Sequence, residues 1–213
     1  MENQLNALDM TQLAALAAAL GFGSGMRLYA VVFLTGAAGA LGWVPLPPGL
    51  AVLQHPIVMT VAGLLVALEF FADKIPLLDS VWDTVHTFIR IPAGAALAAA
   101  VFGGDHATWA AVAGLLGGAL AATAHTAKAG TRAAVNTSPE PFSNVGLSLL
   151  GDVSVPALLW LAWQHPLAFF AALALALLVA LVLIVLSFRF VRALWRRVSG
   201  RAAQTTPVPV LPR

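Results

Sequence analysis

PLAFFAALALALLVALVLIVLSF, residues 166–188, runs on without a charged side chain. At about 1.5 Å per residue, a helix of this length crosses a hydrocarbon layer of about 30 Å. The tail that follows, RFVRALWRR (189–197), crowds arginines directly against its end. Basic residues beside an apolar span mark a cytoplasmic flank. The chain is therefore expected to be an all-α integral membrane protein whose C-terminus is cytoplasmic, and the rest of the sequence can be threaded backwards from this helix.

Composition agrees. The 213 residues are 60% hydrophobic and only 9% charged, with a mean hydropathy of +0.90, well beyond the roughly 45–50% apolar content of ordinary soluble domains. A net charge of +2 invites a nucleic-acid reading, but five of the eleven basic residues fall between Arg189 and Arg201, which is a membrane flank and not a groove for a polyanion. With no cysteine, disulfides, thiolate metal sites and cysteine nucleophiles are excluded. The start, MENQLNALDM, lacks the basic residues of a secretory signal. Nine arginines against two lysines in an alanine-rich chain suggest a GC-rich bacterial genome, and the expected location is the bacterial inner membrane.

Further apolar stretches lie near 144–164, 107–127, 87–103, 56–73, 27–43 and, more weakly, 7–22. About six to seven transmembrane helices result. The first either spans or re-enters, because GFGSG (21–25) could break it and offer free amides. Residues 1–192 read as one polytopic domain and 193–213 as a basic, then proline-containing, disordered cytoplasmic tail. In this threading Arg27, Lys74, Arg90, Lys128 and Arg132 fall on the side of the C-terminal arginines. The opposite loops, GWVPLPPGLAVLQH, GGDH and WQH, carry no lysine or arginine. Gly114 with Gly118, and Gly21 with Gly25, have helix-packing spacing. SGMRLYAVV (24–32) and AGTRAAVNT (129–137) echo one another, as duplicated halves of membrane carriers do.

The polar residues concentrate in two segments. EFFADKIPLLDSVWDTVHTFIRIP (69–92) places Glu69 and Asp73 on one helical face, and after a break at Pro76 it places Asp79, Asp83, His86 and Arg90 on another, with Val81, Trp82, Val85, Phe88 and Ile89 opposite. This is an amphipathic helix, lying in the cytoplasmic interface or packing its polar side over a cavity. HTAKAGTRAAVNTSPEPFSN (125–144) brings His125, Lys128, Arg132, Asn136, Glu140 and Asn144. His125 and Lys128 are expected to end a span and Gly130 and Arg132 to turn the chain. Pro139 and Pro141 oppose helix, and Ser143 or Asn144 caps the next one. Asp152, two turns on, is the deepest charge, with Arg27, Lys128 and Arg132 as expected partners.

GFGSGMRLY, EFFADKIPLLDSVWDTVHTFIR and KAGTRAAVNTSPEPFSN resemble the motifs of bacterial and plant membrane proteins labelled domain of unknown function 4126, over residues 12–190. The resemblance implies a multi-pass membrane fold and brings no activity or substrate with it.

Three readings of function follow. The first is a transporter or channel-like protein binding an ion or small solute on the cytoplasmic side among Ser24, Arg27, Glu69, Asp73, Lys74, Asp79, Asp83, His86, Arg90, His125, Lys128, Arg132, Asn136, Glu140, Asn144 and Asp152, since charges at membrane depth mark such sites. The second is a scaffold or complex subunit whose charges are mutual ion pairs. The third is an enzyme acting on a lipid head group, with His86 or an aspartate as acid or base, although no G-x-S-x-G, H-E-x-x-H or P-loop is present. No cofactor is called for, and neighbouring cations compete with any metal for the carboxylates. The expected partners are the lipid bilayer, a small ion or solute and a second copy of the chain, not nucleic acid. Reporter fusions after His55 and His106 should read as extracytoplasmic; a cytoplasmic signal at either would overturn the threading.

Overall fold

The computed structural model describes residues 8–75, 78–103, 106–137 and 141–204, the side chains at 141, 144, 197, 198 and 200–204 excepted. Within these residues every regular element is helical: α1 Met10–Ala40, a short 3-10 helix Pro48–Gln54, α2 Pro56–Ala72, α3 Leu78–Ala100, α4 Ala107–Val135, α5 Pro141–Gln164 and α6 Pro166–Gln204. Four of them, α1, α4, Val145–Gln164 of α5 and Pro166–Arg196 of α6, are long and apolar enough to cross a membrane. The 3-10 helix and α2 together pass the same test across a bend of 68°.

For α1, length misleads. Its start is set by a capping box, Gln12 N donating to Asp9 Oδ1 and Asp9 N to Gln12 Oε1. At Arg27 the backbone leaves the helical region (φ −150°, ψ 80°), and the chain turns back on itself. A Cβ added to Gly23 would stand 2.8 Å from Val31, although a straight helix would hold these residues about 12 Å apart. The expected spans 7–22 and 27–43 are thus two arms of a single hairpin, 10–26 and 28–40, about 25 Å and 20 Å long. The break is not at GFGSG. Residues 21–25 are helical, and a Cβ on Gly21 would lie 2.6 Å from Gly117 Cα. Those glycines serve close backbone approach, with their amides inside the helix.

Neighbouring contacts give the directions. The first arm runs parallel to α4, Gly21 beside Gly117 and Gly25 beside Ala121, and antiparallel to α3, whose Gly94 faces Gly21 and Ser24. The second arm returns along α2, with Gly36 near Met59 and Phe33 near Gly63. α6 follows α4 in the same sense, Gly130 meeting Ser187, and α5 runs opposite to both. Two up-down-up sets, the hairpin with α2 and then α4–α6, are joined by α3.

Other boundaries moved. α4 continues through Gly130 and Arg132 to Val135, so these residues do not turn the chain. α5 starts at Pro141, because a proline at the first helical position forfeits an amide that has no partner there; Ser143 and Asn144 lie inside the helix and do not cap it. α3 carries both the amphipathic segment and the apolar stretch after it, through Pro92. α6 runs on to Gln204, so the basic part of the expected tail is a helical extension. The break at Pro76, Pro139, Glu140 and residues 205–213 fall outside the described residues.

Polarity is inverted relative to a soluble protein. Phe88, Leu115 and Leu167 are about four-fifths exposed, whereas Glu69, Asp73, Asp79 and Arg90 are fully buried. An apolar exterior around a charged interior is compatible with a membrane protein. Gly21→Leu should therefore prise the first arm from α4 and lower stability by about 1–3 kcal/mol or more, the range for overpacking, read as a drop in thermal midpoint of the detergent-purified protein; Gly103→Ala, with open space around it, should disturb only its own turn.

Candidate functional site

The hairpin tip lies at a cluster of charges drawn from five helices. α2 ends on Asp73, whose N–H closes its last turn on Glu69 O at 2.9 Å, so Glu69 and Asp73 project from one helix end. Arg27 reaches Asp73 Oδ2 at 3.0 Å from the tip. Arg132 of α4 donates to Asp73 Oδ1 at 2.9 Å, and Lys128, one turn earlier, to Oδ2 at 3.1 Å. Three cations from two elements thus converge on one carboxylate. Lys128 also donates to Met26 O at 3.2 Å, where the first arm's carbonyl end favours a cation.

α3 supplies the second half. Its polar face turns inward, burying Asp79, Asp83, His86 and Arg90, while Val81, Val85, Phe88 and Ile89 are exposed. Arg90 bridges Glu69 and Asp83, the latter at 2.9 Å. Lys128 lies 3.3 Å from Asp83, and Arg132 3.6 Å from Asp79. Asp152 of α5 pairs with Arg27 at 2.9 Å and Lys74 at 3.5 Å. Arg27 was an expected partner of Asp152, Lys74 was not, and Lys128 and Arg132 are occupied elsewhere. In all, five cations, Arg27, Lys74, Arg90, Lys128 and Arg132, face five anions, Glu69, Asp73, Asp79, Asp83 and Asp152. The cluster is electrically balanced, which is what allows so many charges to be buried at all.

Around it stands a neutral shell. Asn136 donates to Asp79 Oδ1 at 2.9 Å. His86 Nδ1 lies 2.7 Å from Trp82 O; a carbonyl can only accept, so Nδ1 carries the proton and Nε2 accepts from Tyr29 O–H at 2.9 Å. His125 contacts Thr87 Oγ1 through Nε2 at 2.7 Å and lies 3.4 Å from Arg90 through Nδ1. Asp83 and His86 belong to the amphipathic start of α3, ahead of its apolar stretch. Burial favours the neutral acid at Asp83, but Lys128, Arg90 and Arg132 outweigh it and hold the carboxyl below its usual range. Burial holds His86 below the usual imidazole value, partly opposed by the Trp82 hydrogen bond.

Of the residues singled out from sequence, Ser24 does not join the cluster: its hydroxyl bonds back to Leu20 O at 2.6 Å and packs near Gly94. Glu140 and the Asn144 side chain lie outside the described residues. Sequence reasoning passed over Tyr29, Thr87, Ser80, which receives Asn136 at 3.0 Å, and Ser148, whose hydroxyl accepts from Arg27 at 3.0 Å. Tyr29 is the only tyrosine in the chain, and Ser148 sits one turn before Asp152; those were the available signals.

Beside the cluster, between the first arm, α4, α5 and α6, lies a partly open cavity of about 240 Å³. Arg27, Asp73, Lys128, Arg132 and Ser148 are among its wall residues, and Phe22, Leu158, Val179 and Leu183 line it elsewhere. Both echo arginines, Arg27 and Arg132, therefore share one carboxylate and one cavity.

An all-helical fold with a charged core and an apolar exterior places the chain in the class of helical proteins built around buried polar sites. Residues 14–186 match a domain of unknown function (DUF4126), and the chain belongs to that family. No curated protein and no solved structure matches it.

Arg90→Met should strand two buried carboxylates and cost about 3–5 kcal/mol, seen as a large fall in thermal midpoint. Adding Glu69→Gln should recover part of the loss, because Asp83 keeps Lys128; an additive loss in the double variant would mean the pair does not interact as drawn.

Proposed function

We propose that the chain is an integral membrane protein of transporter or channel type, seated in a bacterial inner membrane with its C-terminus cytoplasmic, and that the Asp73 cluster is its site for a small ion or solute. The observation that carries this reading is the convergence of Arg27, Lys128 and Arg132 on Asp73 at the tip of a broken helix, bordering a cavity. Interrupted helices whose ends meet at buried charges provide ligand groups that a bilayer cannot. The two up-down-up sets joined by α3, with Arg27 and Arg132 on the same carboxylate, support a duplicated architecture of the kind carriers use. The outward apolar faces of α6 and the exposed Arg189, Arg192 and Arg196 beyond them fit a membrane span with a cytoplasmic flank.

A scaffold reading draws on a different observation, the one-to-one balance of cations and anions, which needs no ligand to be complete. The lipid head-group enzyme gains no comparable support, since His86 and His125 have their ring nitrogens engaged with neighbours.

Vesicles containing the purified protein, loaded with a panel of ions and small organic solutes, should show saturable flux of at least one. Lys74→Ala, at the partly exposed rim, should fold normally yet change that flux. Asp73→Asn should reduce it by about tenfold or more, the effect of losing a charge-assisted hydrogen bond. No flux, with variants losing stability in step with the ion pairs removed, would establish the scaffold instead.

A further inference from the structure

Three arginines stand apart from the charge balance of the interior. Arg189, Arg192 and Arg196, on the part of α6 that continues past its apolar run, are all exposed, and their side chains form no ion pair or hydrogen bond among the described residues. Each cation of the Asp73 cluster, by contrast, has a carboxylate partner. Sequence neighbours cannot neutralise the three either, because residues 153–213 include no aspartate or glutamate. Spacings of three and four residues put them on one helical face, where with Ala193 they line an open concavity. Like charges so spaced repel and weaken a helix, yet α6 continues through them to Gln204. The helix dipole eases such repulsion only in the last turn, so anions from outside the chain are called for.

Depth and the opposite face identify those anions. Residues 166–188 cover about 35 Å, slightly more than a hydrocarbon core of roughly 30 Å, so Arg189 emerges where head groups begin. The rise from Arg189 to Arg196 is only about 10 Å, which their long side chains can span back toward the same surface. On the other face of the extension Phe190, Leu194 and Trp195 are exposed, Trp195 by 73%. A basic helix with an apolar, aromatic back is the pattern of a segment held at a membrane interface. A soluble acidic partner on the arginines would leave that back in water.

We propose that Arg189, Arg192 and Arg196 bind the phosphodiester anions of net-negative phospholipids at the surface where α6 leaves the bilayer. The inference rests on reading the chain as a membrane protein, and not on the Asp73 cluster being a ligand site. Guanidinium groups present paired N–H donors to phosphate oxygens. A zwitterionic head group carries its own cation and gains less from them.

The test is native mass spectrometry of the full chain in a neutral maltoside detergent, counting bound lipid as phosphatidylglycerol or phosphatidylcholine with the same acyl chains is titrated in. An arginine near an anionic surface contributes about fivefold in affinity, so phosphatidylglycerol should bind at least about tenfold more tightly than phosphatidylcholine, and added salt should weaken that preference. Replacing all three arginines by glutamine should leave the thermal midpoint unchanged and lower phosphatidylglycerol affinity at least about tenfold. Should that variant fail to accumulate, since flanking arginines also orient a span, Arg196→Gln alone should lower it about fivefold. Equal binding of the two lipids, a preference that survives the triple substitution or is indifferent to salt, or displacement of phosphatidylglycerol by equimolar inorganic phosphate or a short oligonucleotide would each overturn the proposal. Lipid preference without solute flux would sink the transport reading and leave this one standing, and flux without lipid preference would do the reverse. Failure of the purified chain to enter vesicles at all would sink the membrane placement and this inference with it.

Discussion

The structure depends on Asp73 being shared. Two arginines and a lysine meet at this carboxylate, and each arrives from a place where the chain has to be held: the broken tip of α1 and the last turns of α4. A buried carboxylate can hold three cations only if other anions complete the balance, and Glu69, Asp79, Asp83 and Asp152 do so. The cluster thus ties together the hairpin, α2, α3, α4 and α5 in one electrostatic knot. Removing any one of the fully buried charges leaves a partner stranded in low dielectric, which is more damaging than the pair is stabilising; Lys74, at the partly exposed rim, is outside that rule.

Close packing above the knot makes it reachable. Gly21, Gly25, Gly94 and Gly117 let the first arm, α3 and α4 approach until backbone meets backbone, because a residue without a side chain leaves nothing to hold the helices apart. That approach brings Lys128 to the carbonyl of Met26 and Arg90 to Glu69. α5 stands further from α4, and the space left between them beside α6 is the cavity. Tight packing on one side of the first arm and a gap on the other thus place the buried cluster next to an apolar volume.

Much of the site was legible in the sequence because few charges occur in so apolar a chain. Asp79, Asp83, His86 and Arg90 share a face by spacing alone, and that face is the one buried. Asp73, Lys128 and Arg132 stood in the two polar segments that proved to meet. The neutral shell was harder to see: serine, threonine and tyrosine occur anywhere in helices, and only proximity to the cluster gives Ser148, Thr87 and Tyr29 their roles. Local break signals also misled. Glycines at 21–25 suggested interruption, yet they pack inside a helix, since a residue's backbone freedom indicates where a break is allowed and not where it occurs; the chain does leave the helix before Pro141, which opens the next one.

By itself the sequence determined that the chain forms apolar helices and that its scarce charges gather toward one end, because both follow from periodicity and composition. Only the tertiary structure decided which charges pair, that α1 doubles back at Arg27, and that a cavity lies beside the cluster between the first arm, α4, α5 and α6. Those outcomes depend on distances between residues far apart in the chain, and such distances are fixed by how closely helices can pack, which no local pattern encodes.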